Sequence, residues 1–200
     1  MKILFFSNEF PVPHDHGKAV FNLKMCQSLA GRHEVRVVAP IAWTEHRRSA
    51  PLPATVGCPT EYPVYYFPPR IMHAERGRFM WWSLKRQLTE LTAVWPPDVV
   101  LSYWTHPDGE VARRVAQCAG APFVQMVGGS DVLLGRSDAR RWKRVLDVLN
   151  GADAVITIGG QLAKEVVRLG VAPEKVTAMY RPVDTSRFLP GSDPYVKELR

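Results

Sequence analysis

Short apolar runs alternate with helical patterns along the whole chain, and this alternation limits the possible folds more than any other feature. The runs hold few polar residues, which is typical of strands buried on both faces of a parallel sheet. The predicted strands are Ile3–Phe6, Val35–Ala39, Val64–Phe67, Val99–Leu101, Phe123–Val127, Ala154–Ile158 and Val176–Met179. Helical spacing of the apolar residues between them predicts helices over Ala19–Ala30, Trp81–Leu91, Val111–Cys118, Trp142–Leu149 and Leu162–Leu169. We therefore predict an α/β fold, a doubly wound and mostly parallel Rossmann-like sheet flanked by helices.

The same pattern divides the chain into one domain and a short tail. Residues 1–182 are predicted to form the Rossmann-like domain, in which Ala42–Pro63 is a long loop rich in proline and small residues. Residues 183–200 include Pro190 and Pro194 and show no periodicity, so they are predicted to begin a linker. The chain is expected to stop where a second domain would start.

Composition excludes several classes of protein. A 200-residue chain with 46% hydrophobic and 22% charged residues is neither disordered nor fibrous. No segment approaches the roughly 18–20 consecutive apolar residues of a membrane span, and Ile3–Phe6 is too short for a signal peptide. Cys26, Cys58 and Cys118 lack C-x-x-C spacing, so neither a disulfide framework nor a zinc site is expected. Cys26 and Cys118 are expected to be buried on helices, and a cytoplasmic location is predicted.

The formal net charge of +7 is concentrated in two windows. Arg70–Glu90 carries five basic and two acidic residues, and Arg136–Arg144 carries five basic and one acidic. These windows are either solvated helix faces or surfaces that attract a phosphorylated ligand, a membrane or nucleic acid. Because the chain has no helix-turn-helix or zinc-finger pattern, no nucleic-acid partner is expected.

The first basic window also holds a candidate membrane contact. Phe79 and Trp82 lie three residues apart on a ridge beside the predicted core stripe, and Met80 adds apolar surface. Lys85 and Arg86 follow them, and aromatic residues flanked by basic ones are typical of helices at an anionic membrane surface. The alternative is that the two aromatic side chains pack beneath the long loop.

Ligands of an open parallel sheet bind beyond the carboxyl ends of its strands, where three loops hold reactive residues. The first loop, Ser7–Lys18, places Gly17 where the backbone can approach a phosphate near a helix N-terminus, with Lys18 and His16 beside it. It lacks the G-x-G-x-x-G and Walker A patterns, so neither a dinucleotide cofactor nor a P-loop is indicated. His14 and His16 flank an aspartate, but no further ligand is evident, so a polar loop is expected rather than a metal site.

The second and third loops supply further candidates. In Ser102–Gly109, His106 is a candidate for acid–base chemistry or hydroxyl binding. Asp108 is either a similar group or the cap of the following helix. In Gly128–Asp131, two glycines expose backbone amides to a ligand and Asp131 places a carboxylate beside them, although a tight turn is the alternative. Asp131 is, with His106, a candidate catalytic residue.

These loops, in this order, resemble the N-terminal domain of GT-B glycosyltransferases of the family 4, or group 1, type. Met1–Pro11, followed by Gly17 and His33–Pro40, is similar to the opening βαβ unit of that family. Pro122–Asp131 resembles its His-Gly-Ser-Asp segment, and Val183–Pro190 resembles the approach to its interdomain linker. The segments that fit its middle are Asp98–Leu101, Pro107–Gly109 and Ala152–Thr157. The resemblance covers nearly the whole chain.

The resemblance implies transfer of a sugar from a nucleotide-activated donor to a saccharide or lipid-linked acceptor. It implies retention of configuration and no metal or other cofactor besides the donor substrate. The N-terminal domain of the family mainly binds the acceptor, and most of the nucleotide lies on a C-terminal domain, expected here in a longer chain or a separate subunit. By position, Gly17 inherits the approach to the donor diphosphate, and Gly128, Gly129, Ser130 and Asp131 inherit donor or acceptor contacts. The 200 residues alone are expected to be inactive.

Three departures from the family pattern bear on activity. A single Gly17 stands where the family has paired glycines, and Arg181–Pro182 stands where it has Asn-Gly. Gly128 replaces a histidine that commonly contacts the donor sugar. An altered sugar preference and a loss of activity both fit these changes, and His106 is a candidate to compensate.

Three interpretations follow for the function. The first is the acceptor-binding half of a sugar-nucleotide-dependent glycosyltransferase. The second, favoured by Gly128, is a catalytically silent module of the same fold that binds a glycan or a partner. The third, favoured by the basic windows, is an adaptor for an anionic membrane or nucleic acid.

Overall fold

The computed structural model describes residues 1–46, 57–134 and 138–181. The strands in these ranges are β1 (Lys2–Phe6), β2 (Glu34–Val38), β3 (Ile41–Ala42), β4 (Thr60–Glu61), β5 (Val64–Tyr65), β6 (Val99–Tyr103), β7 (Phe123–Val127), β8 (Ala154–Thr157) and β9 (Val176–Ala178). The helices are α1 (Val20–Ala30), α2 (Trp43–His46), α3 (Arg76–Val94), α4 (Glu110–Ala119), α5 (Ser130–Leu133), α6 (Ala139–Asn150) and α7 (Gly160–Arg168). Short helical turns cover His73–Glu75 and Pro173–Lys175, and an irregular turn covers Thr105–Gly109.

Seven of these strands form one parallel sheet in the order β4-β2-β1-β6-β7-β8-β9. From β1 the chain moves outward to β2 and β4, and it then crosses to β6 on the other side of β1. The strand order therefore reverses between β1 and β6. A crevice for ligands opens beyond the carboxyl ends of the strands at such a reversal.

Strand β1 is apolar on both faces because helices cover both sides of the sheet. Leu4 and Phe6 belong to the core layer that contains residues of α3, α4, α6 and α7. Ile3 and Phe5 belong to the opposite layer, which contains Cys26 of α1. The continuous apolar runs predicted this arrangement, and the predicted α/β fold class is confirmed.

Several local predictions need correction. The apolar run at Val64–Phe67 forms a strand over Val64–Tyr65, and it pairs with β3 in a separate two-stranded sheet. The edge of the main sheet is β4, inside the predicted Ala42–Pro63 loop. Its two residues, Thr60 and Glu61, carry no apolar signal, because a half-buried edge strand needs none. Residues 47–56 of that loop, and the predicted linker at 183–200, lie outside the described residues.

The predicted solvent exposure of two side chains is also wrong. Met80, predicted to add exposed apolar surface, is fully buried against the main core. Cys118, predicted to be buried, is exposed near the end of α4, whereas Cys26 is buried as predicted. In the described part of the chain, no helix has the length and apolar character needed to cross a membrane.

Candidate functional site

The first and second candidate loops are joined by the carboxyl group of Asp108. The Asn8 amide donates a hydrogen bond to Asp108 Oδ2 at 2.8 Å. The Ser7 hydroxyl lies 3.0 Å from the same oxygen and 2.8 Å from the Tyr103 carbonyl oxygen. The alternative that Asp108 caps α4 is wrong, because α4 begins at Glu110 and makes no side-chain cap bond with its N-cap residue Gly109.

Asp108 is completely buried, and this changes its protonation. Burial raises the pKa of its carboxyl group to about 8, although the hydrogen bonds from Asn8 and Ser7 act in the opposite direction. The group therefore holds its proton at neutral pH. A neutral, buried Asp108 connects the loops after β1 and β6 without placing a negative charge in the crevice.

The second and third loops are joined by Asp131, which is only 2% exposed. Its Oδ2 accepts hydrogen bonds from the Thr105 amide (3.1 Å) and hydroxyl (2.7 Å). Its Oδ1 accepts the amides of Gly128 (3.2 Å) and Gly129 (2.8 Å). Burial raises the pKa of Asp131, while the hydrogen bonds from Thr105 and Gly129 act against that rise. Asp131 thus bonds the third loop to the second loop. Its predicted contact with a ligand stays a prediction.

The structure explains why residues 128 and 129 of the third loop are both glycines. Gly129 has a φ of +115°, a conformation that residues with a side chain rarely adopt. Gly128 is confined by its surroundings, because an added Cβ would lie 2.3 Å from the Tyr103 hydroxyl oxygen. Ser130, the next residue, is exposed at the start of α5.

The side chain that confines Gly128 is held by a residue from the far end of the described chain. Arg181 Nη2 donates a hydrogen bond to the Tyr103 hydroxyl at 2.6 Å. The Arg181 guanidinium also lies 3.7 Å from the centroid of the Phe21 ring. The departures at Gly128 and Arg181 are therefore linked through Tyr103. No sequence pattern points to Tyr103, since it and Arg181 are 78 positions apart in the chain.

Gly17, Lys18 and His16 lie in the first loop as predicted, but before α1 rather than at its start. Gly17 is exposed, and its amide donates to Asp15 Oδ1 at 3.0 Å. An added Cβ at Gly17 would meet that oxygen at 3.4 Å, an ordinary contact, so the fold itself does not require glycine there. His16 Nε2 lies 3.1 Å from the Pro13 carbonyl oxygen. Within the described ranges, no three His, Cys, Asp or Glu side chains converge as metal ligands.

The family model described as Glycosyltransferase Family 4 matches residues 16–187. The chain belongs to glycosyltransferase family 4. No curated protein sequence matches it.

Solved structures with the same fold are distant in sequence. The crystal structure of HepE from Anabaena in complex with UDP-glucose is 16% identical, with a TM-score of 0.62, and the match covers 100% of this chain and 49% of that one. Sucrose-phosphate synthase from Thermosynechococcus elongatus is 14% identical, with a TM-score of 0.66 and coverage of 100% and 52%. UDP-GlcNAc 2-epimerase from Neisseria meningitidis bound to UDP-GlcNAc is 10% identical, with a TM-score of 0.57 and coverage of 90% and 47%. The family 4 chain thus spans about half of each structure and corresponds to one Rossmann-like half of the GT-B fold.

His106 of the family 4 domain is turned away from the third loop. It is only 2% exposed, and its Nε2 lies 3.2 Å from the Ala74 carbonyl oxygen. Burial, reinforced by the charges of Arg141, Arg144 and Arg76, lowers the pKa of His106 to about 3, so the imidazole is neutral. The hydrogen bond of His106 is to Ala74 and not to the third loop, and its catalytic role stays a prediction.

The predicted membrane contact on α3 is partly exposed. Phe79 and Trp82 make an edge-to-face pair with ring centroids 5.7 Å apart. Phe79 lines a shallow groove of about 450 Å³ with Trp43 and the segment 66–68, whereas Trp82 is 55% exposed. Residues 47–56 of the Ala42–Pro63 loop lie outside the described residues, so packing of Phe79 beneath that loop stays a prediction, whereas Trp82 is largely exposed. Lys85 and Arg86 are exposed on the same helix, and Arg86 pairs with Glu90 at 2.9 Å.

Proposed function

We propose that this family 4 domain binds the acceptor for a glycosyltransferase that uses a nucleoside-diphosphate sugar as donor and retains the configuration of the transferred sugar. The acceptor is a saccharide or a lipid-linked saccharide. The proposal is supported mainly by the meeting of three loops where the strand order reverses. Asp108 and Asp131 each form hydrogen bonds that join two of these loops. This chain spans about half the length of HepE, which was crystallised with UDP-glucose. This supports a second, nucleotide-binding half in a longer chain or a partner subunit.

The first loop is the part of this domain that we assign to the donor diphosphate. An added Cβ at Gly17 would meet only Asp15 Oδ1, at 3.4 Å, and Lys18 follows in the chain with a positive charge. A phosphate at this position would also lie near the N-terminus of α1, where backbone amides favour negative charge. These groups stabilise the departing diphosphate as the bond to the sugar breaks. Ser130 and the loop fastened by Asp131 then position the sugar or the acceptor.

We expect Gly17→Val to lower kcat/KM for sugar transfer by about 100-fold, because the new side chain displaces the diphosphate from its reacting position. The free energy of unfolding should change by less than about 0.5 kcal/mol, since the added Cβ makes only an ordinary contact with Asp15 Oδ1, at 3.4 Å. Transfer is measured on the product of the full open reading frame with a panel of nucleotide sugars, and stability by thermal denaturation.

The matched control is Gly31→Val. Gly31 follows α1 at the end of the sheet opposite the crevice. Its added Cβ also meets a neighbour at 3.4 Å, the Ser28 carbonyl oxygen. It should leave kcat/KM within about twofold. Equal losses of activity in both variants, or a parallel loss of stability and activity in Gly17→Val, would make Gly17 a structural residue. Robust turnover by a verified monomer of residues 1–200 would contradict the two-part site.

A catalytically silent module is the second candidate, and the Gly128–Tyr103 contact favours it. A histidine side chain cannot stand where the Tyr103 hydroxyl lies, so the usual donor-sugar contact of the family is absent. Calorimetric titration separates the two candidates. An active enzyme binds and consumes a nucleotide sugar, whereas a silent module binds a glycan or partner without turnover.

We also propose that the aromatic surface of α3 contacts an anionic membrane that carries the acceptor. Tyr66, which lines the same groove as Phe79, and Trp82, which pairs with Phe79, are both exposed. Arg78 lies 5.3 Å from the Trp82 ring centroid. Lys85 extends the positive charge along the helix. Each basic residue contributes on the order of 1 kcal/mol near an anionic surface, so aromatic insertion must add to it.

Sedimentation with phosphatidylglycerol vesicles tests this contact. Binding should be strong at low salt, weaker at high salt, and reduced about tenfold or more by Phe79→Ser with Trp82→Ser, because the apolar surface that inserts is lost. Val94→Ser is the control, since Val94 is 85% exposed at the far end of the same helix. Absence of binding at low salt, or an equal loss in the control, would exclude the membrane contact.

A further inference from the structure

A small basic pocket lies between the start of α3, the turn after β6 and the first turn of α6. It has a volume of about 60 Å³. Its lining residues are His73, Arg76, His106, Pro107 and Arg141. The pocket lies near the carboxyl edge of the sheet, because β6 ends and both helices begin there.

The positive charge of the pocket is not neutralised from within. Glu75, the nearest acidic residue of the turn before α3, is occupied by Arg144 (2.9 Å) and Arg78 (3.0 Å). Although burial acts in the other direction, these hydrogen bonds hold the pKa of Glu75 below its usual value. Among the described residues, neither Arg76 nor Arg141 pairs with a carboxylate. Within the described ranges, the two guanidinium groups that line the pocket therefore have no carboxylate bound to them.

The inner wall of the pocket has unused hydrogen-bonding capacity. Arg76 Nε is a buried donor that has no hydrogen-bond partner in the described part of the chain. Leaving such atoms unpaired is costly unless a ligand or water satisfies them. Asp138 is the acidic group whose charge acts on His106, but its Oδ1 already accepts the amides of Arg140 and Arg141 at the start of α6. An anion rather than a cation suits this surrounding.

We infer that the pocket binds a phosphate ester of the acceptor, an identity that rests on the proposed function. Guanidinium groups donate in the geometry that phosphate oxygens accept, and such charge-assisted hydrogen bonds are the strong ones. The N-terminus of α6 adds a favourable dipole beside Arg141. The phosphate comes from a soluble sugar phosphate or from the headgroup of a lipid-linked acceptor. Arg76 lies 4.1 Å from the centroid of the Phe67 ring, which connects the pocket to the groove beside Phe79.

Calorimetric titration of the protein with glucose 6-phosphate, inorganic phosphate and glucose tests the inference without donor or turnover. Binding of the two phosphates, but not of glucose, is expected. Arg141→Gln should weaken it by about tenfold or more, the size of one lost charge-assisted hydrogen bond. Arg140→Gln is the matched control, because Arg140 is the exposed neighbour on the same helix and does not line the pocket. Arg76→Gln should repeat the effect of Arg141→Gln.

The outcomes separate this inference from the proposed function. No phosphate-dependent binding, or an equal loss in the Arg140 and Arg141 variants, would overturn the inference even if sugar transfer is found. Phosphate binding that depends on Arg141 supports it even if no transfer is found. Vesicles of phosphatidic acid in phosphatidylcholine identify the source. Arg141-dependent binding to them indicates a lipid headgroup, and Arg141-dependent binding to glucose 6-phosphate alone indicates a soluble acceptor.

Discussion

Asp131→Ala is expected to lower the free energy of unfolding by about 3 kcal/mol, at roughly 1 kcal/mol for each of three backbone amides that lose their acceptor. These amides belong to Thr105, Gly128 and Gly129, so the variant releases the second loop and the third loop together. Sugar transfer should fall by about 100-fold in the same variant, because both loops lose their positions in the crevice. Urea denaturation and steady-state kinetics measure the two effects.

Comparison variants identify the cause. Asp131→Asn keeps the shape but turns an amide group toward protein donors, so an intermediate loss of about 1–2 kcal/mol is expected. Asp147→Ala is the control, because Asp147 is exposed on α6 and its side chain makes no hydrogen bond with the described residues. If Asp131→Ala abolished activity while keeping full stability, Asp131 would contact a ligand and would not be needed to hold the two loops together.

Gly128→His, which introduces the residue common in the family, is expected to destabilise the domain by about 1–3 kcal/mol rather than improve transfer. The physical reason is overlap, since the Cβ alone would lie 2.3 Å from the Tyr103 hydroxyl oxygen and 2.9 Å from its ring carbon. Tyr103 has little freedom to move, because it is buried, bonded to Arg181 and packed against Phe21. Thermal denaturation measures the loss of stability.

A double-mutant cycle tests whether Tyr103 is the cause. Gly128→Ala combined with Tyr103→Phe should cost less than the two single changes added together, because the closest overlapping atom is gone. Gly159→Ala is the control, as its added Cβ would lie 3.8 Å from the Tyr180 ring. Strict additivity, or a Gly128→His variant with wild-type stability and higher transfer, would show that Tyr103 does not confine this position.

Sequence patterns predicted the main strands well and the edge of the sheet poorly. Phe123–Val127 was predicted to the residue, because a strand buried on both faces must be apolar throughout. The edge strand β4 was missed, since its half-buried Thr60 and Glu61 need no apolar pattern. The exposure of Met80 was predicted wrongly for a related reason. The spacing of apolar residues on a helix does not reveal how wide a face of that helix the neighbouring elements cover.

By itself, the sequence determined the order of strands and helices, the α/β class, the family, and the three loops that carry the candidate site. These properties follow from local periodicity and from motifs read in order along the chain. Only the tertiary structure decided what the polar residues of those loops do, because their partners are distant in sequence. Ser7 meets Asp108 across 101 residues, and Thr105 meets Asp131 across 26. Asp108, predicted as either a reactive group or a helix cap, and Asp131, predicted as a ligand contact, each bond two loops together, because a buried carboxyl group needs hydrogen-bond donors from the protein.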